Sequence, residues 1–122
     1  MGLVFQSVRV SNPLASRRSE TIDFLVDTGA IWSYVPRTLL RRLGIRPKFR
    51  ETFELADGRK VRRLVGEATF GIDGRSGASP VVFGLARDQP LLGVVTLESL
   101  GLAVDPVRQR LRPARLLLMR AA

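Results

Sequence analysis

The first candidate for chemistry in this chain is one acidic residue, Asp27, at the end of an apolar segment. It follows the apolar residues 24–26 and precedes Thr28 and Gly29. Burying an ionised acid is costly unless the acid is paired, so Asp27 requires a compensating partner. The sequence contains no histidine and no cysteine, which excludes Ser-His-Asp and Cys-His arrangements and imidazole or thiolate metal sites. Any chemistry must therefore use carboxylates, hydroxyls, a lysine such as Lys60, or arginines, and we expect no metal and no cofactor.

Length and composition favour one compact domain. The 122 residues, of which 45% are hydrophobic, are enough to bury a core and too few for two ordinary domains. Residues 1–122 are therefore predicted to form a single domain. No apolar run approaches the ~20 residues that span a bilayer, and the N-terminus lacks a basic start followed by a long apolar stretch. We expect a cytoplasmic protein without a membrane segment, either complete or part of a larger precursor.

The charge balance is basic, with 20 Lys and Arg against 11 Asp and Glu and a formal net charge of +9. A field of this sign attracts polyanions and acidic peptides. The arginines are scattered, however, and are not interleaved with aromatic residues as a nucleic-acid platform requires. We interpret the pairs Arg41-Arg42 and Arg62-Arg63 as solvated faces and expect no nucleic-acid partner. A basic nucleic-acid-binding module stays open as a weaker alternative.

Short strands dominate the predicted secondary structure, because alternating apolar residues are separated by Gly, Pro and Asp-Gly signals. The polar residues 16–20 predict a hairpin tip, and Asp57-Gly58 is the strongest short-range hairpin signal in the chain. Strands are predicted at residues 4–8, 21–26, 67–72 and 80–85, and on both sides of Asp57-Gly58.

Two short helices complete the predicted elements. The first begins at Pro36, which suits a first helical turn, and runs to Leu43, where Gly44 closes it in the left-handed conformation. The second begins at Thr96 as N-cap and ends at Gly101.

Asp-Thr-Gly-Ala after an apolar strand, followed later by Leu91-Leu92-Gly93 before a helix, resembles the motif set of the retropepsin-like (retroviral-type) aspartic proteases. These are the small single-motif relatives of the pepsins. The resemblance covers nearly the whole chain. It implies a mostly β, closed acid-protease-like β-barrel with one or two short helices and the architecture of an obligate dimer. It also implies an aspartic endopeptidase that acts on peptide or protein substrates.

A single motif per chain requires a second chain for this chemistry. Peptide hydrolysis by aspartates needs two adjacent carboxyl groups, one acting as general base on a water while the other donates a proton to the substrate carbonyl oxygen. The second strand-to-glycine element, Leu91-Leu92-Gly93, carries no acid. We therefore predict a homodimer in which each Asp27 faces its copy across a twofold axis and a shared proton compensates the pair. The tail, residues 108–122, is a candidate strand whose partner lies in another chain.

The neighbours of Asp27 have predicted supporting roles. The resemblance implies that Thr28 braces the two loops through its hydroxyl and the partner's backbone. Gly29 lets the backbone turn tightly and brings its N–H towards the carboxylate. Ala30 leaves room for the substrate backbone.

Two further groups of residues are predicted to contact substrate. The hairpin around Asp57-Gly58 corresponds to the family's flap, which closes over the substrate and excludes water. The predicted flap and substrate-binding residues are Leu55, Ala56, Asp57, Gly58 and Arg59. The predicted pocket-wall residues, which favour apolar substrate side chains, are Leu91, Leu92, Gly93 and Val94.

The chain departs from the family pattern in two places. Ile31-Trp32 stand where relatives more often have small or polar residues, and the hairpin tip is charged where the best-known viral members are glycine-rich. We interpret Trp32 and Tyr34 as core or subunit-contact aromatics, and Asp105 as a turn former. A second function also stays open: a non-catalytic dimer of the same fold that binds peptides or assists assembly, with Asp27 kept as a structural turn.

Overall fold

The computed structural model describes residues 3–116 and 118, and this part of the chain forms nine strands and two six-residue helices. The strands are β1 (Phe5–Asn12), β2 (Ala15–Val26), β3 (Ser33–Pro36), β4 (Phe49–Glu54), β5 (Lys60–Ile72), β6 (Arg75–Gly84), β7 (Leu91–Leu92), β8 (Leu102–Asp105) and β9 (Arg110–Pro113). The helices are α1 (Arg37–Arg42) and α2 (Val94–Ser99).

Seven of the strands form one sheet in the order β1-β2-β7-β3-β6-β5-β4, while β8 and β9 form a separate pair. Strand β1 also pairs with β5, with Val10 opposite Phe70, so the large sheet closes on itself. The β2–β7 and β3–β6 pairs are parallel and the β1–β2, β4–β5 and β5–β6 pairs are antiparallel. The prediction of a mostly β, closed fold with two short helices is confirmed.

Alternating apolar residues of the strands supply the core. On β1, Val8 and Val10 are fully buried while Arg9 between them is exposed, as the period of a strand requires. Phe24 and Phe70 pack edge to face beneath them, with 6.0 Å between the ring centroids. The helix side chains that join this core are Leu39, Leu40 and Leu97.

The first hairpin turns earlier than predicted. Its turn lies at residues 13–14, and the predicted tip at residues 16–20 is wrong, because these residues belong to β2 and Glu20 pairs with Val10. The local cause is Asn12, whose Oδ1 accepts the N–H of Leu14 at 2.9 Å and so closes the turn. Of the polar residues that follow in β2, residues 16–18 are exposed and Ser19 and Glu20 are half-buried.

The helix prediction is confirmed for α1 and needs one correction for α2. Gly44, with φ +74°, ends α1 by donating its N–H to the Arg41 carbonyl at 2.9 Å. Helix α2 begins at Val94, two residues before Thr96, which was predicted as its N-cap. The N-cap is Gly93, and Thr96 is buried inside the helix. Gly101, with φ +67°, follows its end as predicted. No helix among residues 3–116 and 118 has the length and apolar character needed to cross a bilayer.

Part of the tail forms a strand, but its partner is in the same chain. Residues 110–113 form β9, which pairs with β8 through Asp105 opposite Arg110. The prediction of a partner in another chain is therefore wrong for these residues. The turn prediction at Asp105 is confirmed, because its Oδ1 accepts the N–H groups of Val107 and Arg108, each at 3.1 Å. The tail prediction also includes residues 117 and 119–122, which lie outside the described residues.

Candidate active site

The two strand-to-glycine elements of the sequence lie side by side. Strand β2, which ends just before Asp27, runs parallel to β7, with Leu25 opposite Leu91 and Val26 opposite Leu92. The backbone N–H of Asp27 donates to the Leu92 carbonyl at 3.0 Å. The acidic loop therefore leaves the sheet at a point fixed by the neighbouring strand.

The carboxylate of Asp27 is held by its own loop. Its Oδ1 accepts the N–H of Gly29 at 2.9 Å, and its backbone carbonyl accepts the N–H of Ala30 at 3.1 Å. A Cβ atom at Gly29 would lie 3.2 Å from the same Oδ1, so only glycine leaves this position uncrowded. In the single chain Asp27 is half-buried, while Thr28 and Gly29 are exposed. The sequence suggested a buried acid, whereas within one chain Asp27 is only partly covered.

The start of α2 fixes the other half of the loop. Val94 and Val95 donate their N–H groups to the carbonyls of Ala30 and Ile31, both at 2.9 Å. The first N–H groups of a helix have no partner within it, and here they hold residues 30 and 31 in place. Val94, predicted as part of a pocket wall, thus contacts the loop through its backbone.

A buried hydroxyl cluster supports this junction and was not predicted. Thr96 Oγ1 lies 2.5 Å from Ser33 Oγ and 2.9 Å from Ser79 Oγ, so α2, β3 and β6 meet at one threonine. Ser33 Oγ also accepts the N–H of Gly93 at 3.0 Å. All three hydroxyl residues are buried. A threonine in the first turn of a helix looks like an N-cap in sequence, which concealed this role.

The β4–β5 hairpin is formed as predicted. Leu55 donates its N–H to the Arg59 carbonyl at 2.7 Å, and Gly58 adopts φ +87° at the turn. Asp57 accepts the Arg59 N–H at 3.0 Å and forms an ion pair with its side chain at 2.7 Å. Asp57 is thus a turn former. The five residues predicted for the flap are all exposed at the end of this hairpin.

A groove of about 720 Å³ separates the acidic loop from the hairpin. Among the predicted site residues, Gly29, Ala30, Leu55 and Leu91 line it. Asp27 and Thr28 directly precede Gly29. The predicted residues that lie outside the lining are Asp27, Thr28, Ala56, Asp57, Gly58, Arg59, Leu92, Gly93 and Val94.

Aromatic residues give the groove much of its apolar surface. Trp32 packs edge to face against Phe49 and Phe53, with centroid distances of 6.2 and 5.8 Å, and so joins the loop side to the hairpin side. Trp32 and Tyr34 both line the groove, although we had interpreted them as core or subunit-contact residues. Their alternation with the buried Ser33 is the sequence signal that places both on one face.

Tyr34 also ties the groove to the segment before β7. Its hydroxyl donates to Asp88 Oδ2, which in addition accepts the N–H of Leu85 at 2.9 Å. Gly84 lies directly under the Tyr34 ring, where a Cβ atom would overlap it. One aromatic residue therefore both lines the groove and fixes residues 85–88 beside it.

The arginine pair on β5 is divided between two faces. Arg62 is exposed, as predicted, but the interpretation of Arg63 as solvated is wrong. Arg63 is half-buried and lines the groove. The strand alternation places it on the same face as Val61, which lines the groove as well.

The closed sheet, the acidic loop and the groove define an aspartic-protease-like protein, and a family comparison agrees. Residues 8–96 match the family model described as aspartyl protease. This match spans more than half of the chain, and the chain belongs to the aspartyl protease family. Comparison with curated proteins gave no match.

Solved structures of retropepsin-like proteases share the fold. The EIAV protease complexed with the inhibitor HBY-793 is similar at 18% identity with a TM-score of 0.62, covering 96% of this chain and 94% of that chain. The Simian Foamy Virus (mac) protease has 20% identity, a TM-score of 0.52, and coverages of 76% and 92%. A retropepsin-like aspartic protease from Rickettsia conorii has 24% identity, a TM-score of 0.53, and coverages of 85% and 85%. The acid-protease-like fold predicted from the sequence is confirmed.

Proposed function

We propose that this chain is an aspartic endopeptidase in which the Asp27 carboxylates of two chains pair across a homodimer axis. One observation carries the proposal: Asp27 begins a loop, fixed on both sides by Leu92–Val95 backbone groups, whose next residues Gly29 and Ala30 line the groove. A peptide lying in the groove would pass beside the acid. Membership of the aspartyl protease family supports the same conclusion.

The proposed reaction uses one proton shared by the two Asp27 carboxyl groups. The ionised group removes a proton from a water as the water oxygen attacks the substrate carbonyl carbon, while the protonated group donates its proton to the carbonyl oxygen. When the resulting tetrahedral intermediate collapses, the C–N bond breaks and the leaving amine takes the proton that the first carboxyl group removed from water. A hydroxyl of the intermediate returns its proton to the other carboxylate as the product carboxyl group forms, which restores the pair. Two like charges in contact do not both ionise readily, so the pair retains the proton that this chemistry needs.

The need for a second chain follows from the single acidic motif. Exposed apolar side chains flank the loop: Phe5, 55% exposed, pairs with Leu25 just before Asp27, and Ile31, 71% exposed, follows the loop. Surfaces of this kind are covered when subunits associate. Thr28, which is exposed beside Asp27, is free to reach a partner's backbone in such a dimer.

The β4–β5 hairpin is the proposed flap. Its tip, with Gly58 at the turn, is exposed, and its two strands line a groove whose surface is largely apolar and aromatic. Closure of the tip over a peptide would exclude water from the cleaved bond. The lining favours apolar or aromatic substrate side chains next to that bond.

The direct test compares Asp27→Asn with Asp23→Asn, which changes an exposed acid on β2, the strand that precedes the Asp27 loop. Peptide-library cleavage should fall by at least about a hundredfold in Asp27→Asn, since general acid–base catalysis contributes on that scale. It should stay at the wild-type level in Asp23→Asn. Sedimentation should show the same dimer for all three proteins. Unchanged cleavage by Asp27→Asn would refute the proposed mechanism.

The non-catalytic alternative has one observation in its favour. The Asp27–Gly29 hydrogen bond is also the contact that a purely structural Asp turn makes. This alternative predicts that wild type binds peptides in the groove but does not cleave them. A statine-type transition-state mimic separates the two functions. An enzyme should bind the mimic far more tightly than it binds a substrate-like peptide, whereas a non-catalytic module should bind the mimic and the peptide equally well.

A further inference from the structure

One cation, Arg63, lines the groove and forms no ion pair within the described part of the chain. Arg63 lies on β5 between Val61 and Val65, on the strand face that is turned to the groove. Its Nη1 donates to the Arg62 carbonyl at 2.9 Å, but its Nε is buried and has no hydrogen-bond acceptor among the described residues. A buried donor without an acceptor is costly, and more so when it belongs to a charged group. The side chain as a whole is only half-buried and lines the groove, so a ligand in the groove lies against it.

The carboxylate nearest to Arg63 in the strand pairing does not neutralise it. Glu51 is directly opposite Arg63 on β4, yet Arg63 forms no ion pair with any acid of residues 3–116 and 118. Glu51 Oε2 instead accepts the N–H of Thr52 at 3.0 Å. Arg63 therefore lines the groove without a direct ion-pair partner among the acids that the structure describes, although Glu51 and Glu54 line the same groove.

We propose that Arg63 is a specificity-determining residue that binds the carboxylate of one acidic side chain in the peptide substrate. This inference rests on the proposed function and names the substrate class: an apolar or aromatic peptide with one Asp or Glu near the cleaved bond. An arginine stays protonated at any working pH, and its planar fork matches the two oxygens of a carboxylate. Besides the buried Nε–H and the Nη1 hydrogen that bonds the Arg62 carbonyl, the guanidinium has three further N–H donors.

The surroundings of Arg63 limit the number of acids to one. Trp32, Phe53 and Val61 supply apolar walls, which accommodate uncharged neighbours in the peptide. Glu51 and Glu54 also line the groove and repel carboxylates, so only an acid bound directly by Arg63 is favoured there. The net charge of +9 assists the approach of acidic peptides at long range but does not by itself select a position.

The test uses peptides with blocked ends, matched in pairs that differ only by Glu or Gln at one position, scanned along the peptide. At one position wild type should prefer Glu by about tenfold in kcat/KM, the scale expected for hydrogen bonds to a charged group. The preference should disappear in Arg63→Gln and persist in Arg62→Gln, which removes the same charge from the opposite face. Arg63→Lys keeps the charge without the fork and should retain only part of the preference.

Three results would overturn the proposal: no position with a Glu preference in wild type, a preference that survives Arg63→Gln, or one that Arg62→Gln abolishes equally. A peptide with a free C-terminus and no acidic side chain tests the other source of a carboxylate. If Arg63 raises kcat/KM only for that peptide, Arg63 binds a terminal carboxylate and the side-chain assignment is wrong.

A binding arm separates this inference from the proposed catalysis. Trp32 is the only tryptophan of the chain and lines the groove, so its fluorescence reports peptide binding without cleavage. In Asp27→Asn protein the Glu peptide should bind about tenfold more tightly than the Gln peptide, and Arg63→Gln should remove the difference. If catalysis fails but this ratio holds, Arg63 still selects the ligand. Equal binding of the two peptides would refute the role of Arg63.

Discussion

The hydroxyl of Thr96 in α2 lies 2.5 Å from the hydroxyl of Ser33 in β3. Because Ser33 also accepts the N–H of Gly93, this pair connects the acidic loop, the strand after it and the helix that holds it. The position of Asp27 thus depends on a buried polar cluster as well as on strand pairing. A satisfied cluster of this kind fixes one arrangement of the backbone, whereas a partly satisfied one is costly.

Thr96→Val is expected to lower the free energy of unfolding by about 1–3 kcal/mol. The substitution keeps the shape of the side chain but leaves Ser33 and Ser79 without their shared partner in a buried setting. Urea denaturation measures the change. Ser99→Ala, which removes an exposed hydroxyl from the same helix, is the control and should stay within about 0.5 kcal/mol of wild type. Equal effects of the two substitutions would contradict the role of the cluster.

Gly93→Ala adds only one methyl group but is expected to disturb the acidic loop strongly. A Cβ atom at this position would lie 2.6 Å from the carbonyl carbon and 2.8 Å from the carbonyl oxygen of Trp32, and backbone atoms have little room to move. We expect a loss of about 1–3 kcal/mol in unfolding free energy, together with a loss of peptide cleavage.

Gly71→Ala is the matched control for that prediction. A Cβ atom there would make only ordinary contacts, the nearest at 3.7 Å from Arg9 Cβ. Denaturation midpoints and cleavage assays of the two variants decide the matter. If Gly93→Ala and Gly71→Ala had the same denaturation midpoint and the same cleavage activity, the close approach at Gly93 would not explain the loop's position.

The sequence predicted the parts of the site that depend on local signals. Asp-Thr-Gly after an apolar strand, the Asp57-Gly58 turn and α1 with its closing Gly44 all have local signatures, and each forms as predicted. The groove lining was harder to predict, because alternation shows that Trp32 and Tyr34 share a face without showing whether that face is core or groove. Arg63 looked solvated because long basic side chains usually are.

Tyr34 and Asp88 are expected to act as one unit. Asp88→Ala removes the acceptor of both the Tyr34 hydroxyl and the Leu85 N–H, at an expected cost of about 1–3 kcal/mol in unfolding free energy. Tyr34→Phe removes one of these hydrogen bonds and should cost about 0.5–1.5 kcal/mol. A double-mutant cycle by urea denaturation should give a coupling energy of at least about 0.5 kcal/mol. Additive effects would mean that the contact does not stabilise residues 85–88.

The turn before β9 should make folding sensitive to acid. The Arg108 N–H, the Val107 N–H and the charges of Arg108 and Arg112 lower the pKa of Asp105, against an opposing contribution from burial. A carboxyl group whose pKa is lowered by folding stabilises the folded state above its unfolded pKa of about 3.9, and this contribution is lost as the pH falls through the folded pKa.

Asp105→Asn tests that pH dependence, since it keeps the side-chain carbonyl and removes the titrating group. The variant should be less stable than wild type at pH 7, and the difference should shrink as the pH falls below about 4. Thermal unfolding of both proteins between neutral and acidic pH measures it. A stability difference that stays constant over this range would show that the ionised form of Asp105 contributes nothing.

A mixing experiment tests whether two chains share one catalytic centre. Each chain supplies a single Asp-Thr-Gly motif, so a dimer with one Asp27→Asn chain should be inactive. When wild type and Asp27→Asn are unfolded, mixed in equal amounts and refolded together, about one quarter of the dimers contain two intact chains. Cleavage relative to the same total amount of wild type should therefore fall to about one quarter, whereas chains that act alone would retain about one half. Mixing with Asp23→Asn should leave cleavage unchanged, because that exposed acid lies on β2 before the loop. A value of one half with Asp27→Asn would exclude the shared centre.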